Sequence, residues 1–386
     1  MAAEVVTVRT GERPPRYWDA SVFIAMPAPG RNDPESFSSW PEMVSLFQEL
    51  WKIDGRLVLF VPGPRDDHRN DDSEDRELRR ADVVMFWLPT DAAASLAFLN
   101  TALLAGNVSQ HVVVGGPAAG PEVDHLLPDA ERGAVSVAST LAGAVRAALD
   151  VIGSGARRRD GERGVPLPVW RSGSFQSWYA AQRAAGNTML RARLVWTFHL
   201  GPGRGFLFYW ALHVSMFVAA EDRVKSNEVV ISRPDISVLA LYKRGATIGD
   251  TIVVLIREYR SSASTADAFV HELPGGSGSE GAQAVEQAVI EAEEETGLAI
   301  DVSRIRSHGS RQLAATLSAH RAHLFAAEIT DGELAQLSAA RAQPHGADGT
   351  ERTWTEITTF AEICRDRLVD WATLGMITQV LLAARA

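Results

Sequence analysis

Between residues 20 and 117 the chain alternates apolar runs of strand length with segments of helical pattern. The runs are 20–27 (ASVFIAMP), 56–65 (RLVLFVPGPR), 81–89 (ADVVMFWLP) and 111–117 (HVVVGGP). Between them, 38–52 opens on serine and carries a 3.6-residue periodicity, 66–77 is an acidic loop running into a short helix, and 92–106 is an apolar helix. Strands joined by helices build βαβ units with parallel pairing. The expected fold class is therefore α/β, beginning with a doubly wound, mainly parallel sheet. Such sheets leave ligand space at the carboxyl ends of their strands.

An alanine-rich helix, 141–152, follows, and then "GSGARRRDGERGVPLP" (153–168). Glycine, charge and a terminal proline mark that stretch as a linker. The expected division is a first domain over 1–152, a linker over 153–168 and a second domain over 169–386. The tryptophan- and arginine-rich segment 169–200 then belongs to the second domain, with Trp170, Trp178 and Trp196 packing at the edge of its core. Residues 190–260 read as several strands, and 351–386 as a strand and a closing amphipathic helix.

With 38 basic and 48 acidic residues the formal net charge is −10. That excludes general binding to nucleic acid, whose phosphates need a basic surface. Only Lys52, Lys225 and Lys243 among the basic residues are lysine, a bias that points to a GC-rich bacterial genome. The single Cys364 forms no intrachain disulfide and is expected to be buried in a helix over 359–367. No apolar signal region opens the chain, and the longest apolar run (205–220) is too short to span a bilayer and reads as long twisted strands. A cytoplasmic location follows, with no membrane partner.

Residues 271–298 read HELPGGSGSEGAQAVEQAVIEAEEETGL. Glu291, Glu294 and Glu295 stand at i, i+3 and i+4, on one face of a helix, where like charges repel. Ala284, Ala288 and Ala292 form a small-residue stripe suited to close packing on a sheet. Leu273-Pro274-Gly275-Gly276 reads as a turn in which glycine takes positive φ, and Gly297 as the C-terminal cap. An oxygen-rich face of this kind suits a hard divalent ion, Mg²⁺ or Mn²⁺.

The stretch resembles the Nudix box, which runs Gly, five residues, Glu, seven residues, then Arg-Glu-apolar-x-Glu-Glu-x-Gly-apolar. Gly276, Glu291, Ala292, Glu294, Glu295, Gly297 and Leu298 match it, whereas Ala282 stands for the first glutamate and Ile290 for the arginine. Glu280 lies two residues early as a substitute for that glutamate. The segment 232–260, ending Arg257-Glu258-Tyr259-Arg260, resembles the approach to the box in ADP-ribose pyrophosphatases of this superfamily. The resemblance implies a Nudix α/β/α sandwich and Mg²⁺-dependent hydrolysis of a nucleoside diphosphate derivative such as ADP-ribose or a nucleotide sugar. Glu291, Glu294 and Glu295 would be the metal ligands and catalytic carboxylates. Arg257, Arg260, Gly275 and Gly276 would contact substrate. Where related pyrophosphatases carry a distal glutamate, this chain has His320 and His323, with Glu328 later on a strand.

The first domain is similar in patches to the nucleoside 2-deoxyribosyltransferase-like family. The patches are Phe23-Ile24-Ala25-Met26-Pro27, Ser39-Trp40, Phe60-Val61-Pro62, Ala81-Asp82, Phe86-Trp87-Leu88-Pro89 and Gly115-Gly116-Pro117. That family uses a glutamate nucleophile on the helix after the Phe-Trp strand. Here the helix (92–107) has no carboxylate, and only Asp91 stands nearby. The implied role is a non-catalytic nucleotide-binding or scaffold domain. An N-glycosidase built on Asp91, and a wholly inactive nucleotide-binding regulatory or scaffold protein, are the other readings. The implied partner is a small-molecule nucleotide, and a homodimer is compatible with each reading.

Overall fold

A computed structural model describes residues 2–9, 11–25, 39–61, 71–88, 111–117, 135–200, 206–277, 283–346 and 352–385. It divides into two units, Met1–Arg233 and Pro234–Ala386.

In the first unit β1 (Glu4–Arg9), β3 (Ala20–Ala25), β4 (Arg56–Val61), β5 (Val83–Trp87), β6 (His111–Gly115) and β7 (Val135–Ala138) form one sheet in the order β1-β4-β3-β5-β6-β7; β2 (Tyr17–Trp18) stays outside it. Every pairing in this sheet is parallel. Both faces are covered, which is why the strands are apolar at successive positions. On one face Val22, Ile24, Leu57, Leu59 and Met85 pack against Met43 and Phe47 of α1 (Ser39–Leu50) and Val145 of α3 (Leu141–Ile152). On the other, Phe23, Val58, Phe60, Val84 and Phe86 form a second cluster, with Leu78 of α2 (Asp71–Arg80) against it. Strand order reverses between β3 and β5, the place where sheets of this kind open a crevice. The residues that follow those strands, including Met26, Pro27, Asp91 and the expected helix 92–107, lie outside the described residues.

Residues 153–168 are not a linker. Their β8 (Arg158–Arg159) pairs with β2, and Arg158 is fully buried. Its Nη1 and Nη2 each donate to one oxygen of Asp82 at 2.6 Å, and Nη1 also donates to the Val165 carbonyl at 2.7 Å. Asp82 further accepts from the Ser21 and Leu167 amides, both at 2.7 Å. Burial of two charges is tolerable when the pair is bidentate and its remaining valences are filled. The stretch reads as a linker in sequence because the partner of Arg158 lies 76 residues away.

The chain then continues in the same unit to residue 233. Helices α4 (Leu167–Arg171) and α5 (Gly173–Ala184) precede an antiparallel sheet of β9 (Thr188–Leu200), β10 (Phe206–Val218) and β11 (Arg223–Ser232). Phe175, Tyr179, Leu194, Trp210 and Leu212 form their common core, with Trp170 and Trp178 partly buried at its edge as expected. Trp196 is instead half exposed and stacks against Phe198 and Tyr209. Segment 169–233 thus belongs with the first unit; its long-range packing, invisible to composition, decides the boundary.

The second unit is built on a sheet of order β14-β13-β12-β17-β16. Its strands are β12 (Ile236–Lys243), β13 (Ile252–Tyr259), β14 (Phe269–Glu272), β16 (Arg306–Gln312) and β17 (Arg321–Glu328), with β15 (Gly275–Ser277) on β12 and β18 (Thr353–Thr359) on β13. Leu239, Leu241, Val254 and Phe325 pack against Ala288 and Ala292 of α6 (Ala284–Thr296) and Leu337 of α7 (Asp331–Ala340). Val238, Ala240, Val253 and Leu324 face the opposite way, onto Ile363 of α8 (Phe360–Asp366) and Ile377 and Val380 of α9 (Trp371–Ala383). Cys364 is exposed, not buried, because α8 turns Ile363 inward.

A carboxylate cluster over a glycine strand

Strands β12 and β13 pair only at Tyr242–Val253 and Lys243–Ile252 and then part. The edge of β12 that they vacate is taken by β15, with Gly275 opposite Val238 and Gly276 opposite Ser237. Neither glycine has positive φ, so the expected glycine turn is an extended strand. Close approach is the real reason for glycine. A Cβ on Gly275 would meet the Ser237 carbonyl oxygen at 2.4 Å, and one on Gly276 would meet the Glu291 carboxyl at 2.4 Å.

Helix α6 is laid across that strand by its alanine stripe, Ala288 and Ala292 being fully buried. Gly297, at φ 70°, ends it, and Leu298 packs below. The helix therefore turns Glu291 and Glu295 toward the glycine strand, while Glu293 and Glu294 are exposed. The Gly275 amide donates to Glu295 Oε2 at 2.9 Å, and Gln287 Nε2 donates to Glu291 Oε1 at 2.6 Å. The Thr353 hydroxyl donates to the Glu295 carbonyl at 3.1 Å.

Two further glutamates reach the same face. Side chains alternate along strands and are shared across paired positions. Glu258 is opposite Thr353, and Ile256 is opposite both Glu272 and Thr355, so Glu258 and Glu272 share the α6 side of the sheet. Glu295 is pushed up to about 9, first by burial and then by the charges of Glu291, Glu272 and Glu258, against the pull of the Gly275 amide. Neither strand glutamate was singled out from the sequence. No sequence signal marks them: both faces of β13 are buried, so its apolar pattern does not tell the α6 side of the sheet from the other.

The arginines divide. Arg260 reaches Glu258 at 2.7 Å and so borders the cluster. Arg257 is opposite His271 and Trp354, on the other side of the sheet, where it lies over the Phe269 ring at 4.0 Å and pairs with Asp267 at 3.2 Å. The histidines divide too. His323 shares a row with Ser237 and Gly276 and pairs with Asp235 at 3.4 Å. His320 Nδ1 is bonded to the Ser318 hydroxyl, and Glu328 sits at the opposite end of β17 against Arg244. Ile290, at the position of the motif's arginine, is half exposed; Ala282 and Glu280 lie outside the described residues.

Among the described residues, no three histidine, cysteine, aspartate or glutamate side chains converge closely enough to grip a metal ion. The donor set nevertheless fits a hard divalent cation. It is all oxygen, and the Glu295 carboxyl is driven toward its neutral form first by burial and then by three neighbouring carboxylates, a bias that a cation reverses. No protein-family model matches this chain, and no curated protein does. Among solved structures it is similar to the crystal structure of an ADP compounds hydrolase, at 14% identity and a TM-score of 0.36, over 52% of this chain and 94% of that one. A likeness of that size carries no argument about fold or function. No described helix is long and apolar enough to cross a membrane.

Proposed function

We propose that the second unit is a Nudix-type hydrolase that cleaves the diphosphate of a nucleoside diphosphate derivative, of the ADP-ribose or nucleotide-sugar class, with Mg²⁺ or Mn²⁺ bound. The observation that carries the reading is the seating of Glu291 and Glu295 over a strand whose glycines admit them, on the face that also holds Glu258 and Glu272. Glu291 and Glu295 would be the first ligands for the cation, and Glu272, Glu258 and the exposed Glu294 would supply further oxygens. Bound there, a divalent ion neutralises phosphate charge and makes water a better nucleophile.

The chain's own groups do the rest. The Gly275 amide holds Glu295, Gln287 orients Glu291, and Arg260 is placed to supply a planar fork of donors to a phosphate beside Glu258. Arg257 serves the opposite side of the sheet and is left out of the phosphate site. For the first unit, residues 1–152 carry the transferase-like patches, and we read it as a nucleotide-binding or scaffold module without turnover. The expected partner is a small nucleotide in a bacterial cytoplasm, with no nucleic acid or membrane.

A second reading, an inactive nucleotide-binding regulatory protein, is favoured by one observation: isoleucine stands at position 290, so no arginine braces the glycine loop from there. The two separate on one experiment. Full-length protein is incubated with ADP-ribose, UDP-glucose and ADP-glucose, with Mg²⁺ and with EDTA. Metal-dependent release of AMP or UMP, lost in Glu291→Gln, is expected. Binding without product in every case establishes the second reading.

A further inference from the structure

The second unit has a cavity of about 340 Å³ that the carboxylate site does not use. It lies between β16–β17 and α9. Its floor is Leu313, Ala322, Leu324 and Met376, and Leu324 faces the sheet side away from α6. A cavity of this size with an apolar floor and a few convergent polar groups is what small-molecule sites look like.

Three features give it chemical character. First, its lining holds no carboxylate, in a chain of net charge −10, yet it includes Arg311 and His308. Among the described residues the Arg311 guanidinium has no hydrogen bond or ion pair, so its fork of donors is uncommitted. His308 is held by its carbonyl, which accepts from Gln379 Nε2 at 3.1 Å, leaving the imidazole to the cavity. Burial, and then the charge of Arg306, lower its pKa, so it faces a ligand as a neutral donor and acceptor. Second, Trp371 opens α9 at the rim with 88% of its surface exposed. An indole left so open contributes nothing to the core and offers a flat face to stack on. Third, Gly375 stands inside α9, although glycine is among the poorest helix formers. A Cβ there would meet nothing within 4 Å. The missing side chain keeps the cavity open.

We propose that this cavity is a second ligand site, which takes a planar heteroaromatic ring bearing one anionic group: the ring against Trp371, the anion on Arg311. Its charge is opposite in sign to that of the carboxylate cluster, and the sheet separates the two, so it stands whether or not the unit hydrolyses diphosphates.

The test is titration calorimetry of the full chain in EDTA. The probes are AMP, GMP, nicotinate and indole-3-acetate, with adenosine and nicotinamide as neutral counterparts. At least one anion is expected to bind one to one, and its neutral counterpart about 10-fold or more weaker. Gly375→Leu, which fills open space, and Arg311→Ala should each weaken that binding about 10-fold or more, with Glu291→Gln leaving it within about twofold. Thermal melting shows whether Gly375→Leu folds; if it does not, Arg311→Ala and Trp371→Ala decide. No binding by any of the four anions overturns the proposal, as does binding indifferent to these variants. Trp371→Ala turning a dimer into a monomer in sedimentation also overturns it, since a second copy would then be the occupant.

Discussion

Replacing Glu295 by glutamine should stabilise the metal-free protein, by an amount that grows as pH rises above about 5. The glutamate is 7% exposed and its folded-state pKa is about 9, against an ordinary value of 4.5. A raised carboxyl pKa means the folded state holds a proton that the unfolded state has released. Its neutral form is not penalised below pH 4.5, and stability falls as pH rises from there toward 9. At about 1.36 kcal/mol per pH unit, the loss between pH 5 and pH 8 is up to about 4 kcal/mol. Glutamine keeps an oxygen to accept from the Gly275 amide and never ionises. The difference between variant and wild type should therefore be small at pH 5 and grow to a few kcal/mol in favour of the variant at pH 8. Native-state hydrogen exchange of the 284–296 amides in EDTA reads this directly, independently of the first unit. Adding Mg²⁺ at pH 8 should protect the wild type and leave the variant unchanged. A variant equally destabilised at both pH values would refute the argument, because Glu295 would then be an ordinary ionised side chain holding the loop.

Other substitutions probe neighbouring claims. Glu294→Gln removes an exposed charge and should alter stability by less than about 0.5 kcal/mol in a urea titration, whereas Glu291→Gln should cut Mg²⁺-dependent hydrolysis of ADP-ribose by about 100-fold or more. Gly276→Ala sets a methyl group 2.4 Å from the Glu291 carboxyl and should lose most Mg²⁺ affinity in calorimetry while the fold persists by circular dichroism. Asp82→Ala leaves Arg158 buried without its counter-charge, at a cost of about 3–5 kcal/mol in the unfolding of the first unit. A fragment ending at residue 155 lacks Arg158 and should be insoluble or unfolded, whereas one ending at 233 should give dispersed amide NMR signals.

Much of this was legible because it is local. The strands at 20–25, 56–61, 83–87 and 111–115, the helix 141–152, the alanine stripe and the Gly297 cap all follow from periodicity and cap chemistry within a few residues. The two edge strands β1 and β7 were not, since short half-exposed strands lack the continuous apolar signal of the four central ones. The glutamate spacing located α6 and its loop, and it placed Glu294 on the same face. A helix face is broad, however, and packing splits it: Glu291 and Glu295 turn in, Glu294 stays in water.

By itself the sequence determined the parallel sheet and the acidic helix with its glycine approach, because these depend on the spacing of side chains along one element. Tertiary structure alone decided three things. It buried Arg158 on Asp82 and packed 169–233 into the first unit, so that the boundary falls at residue 233. Strand register brought Glu258 and Glu272 to the glutamate face and carried Arg257 away from it. The parting of β12 and β13 made the glycines a matter of close approach instead of turn geometry. In each case the deciding contact joins segments distant along the chain, and charge pairing and register between such segments leave no periodic trace in either one.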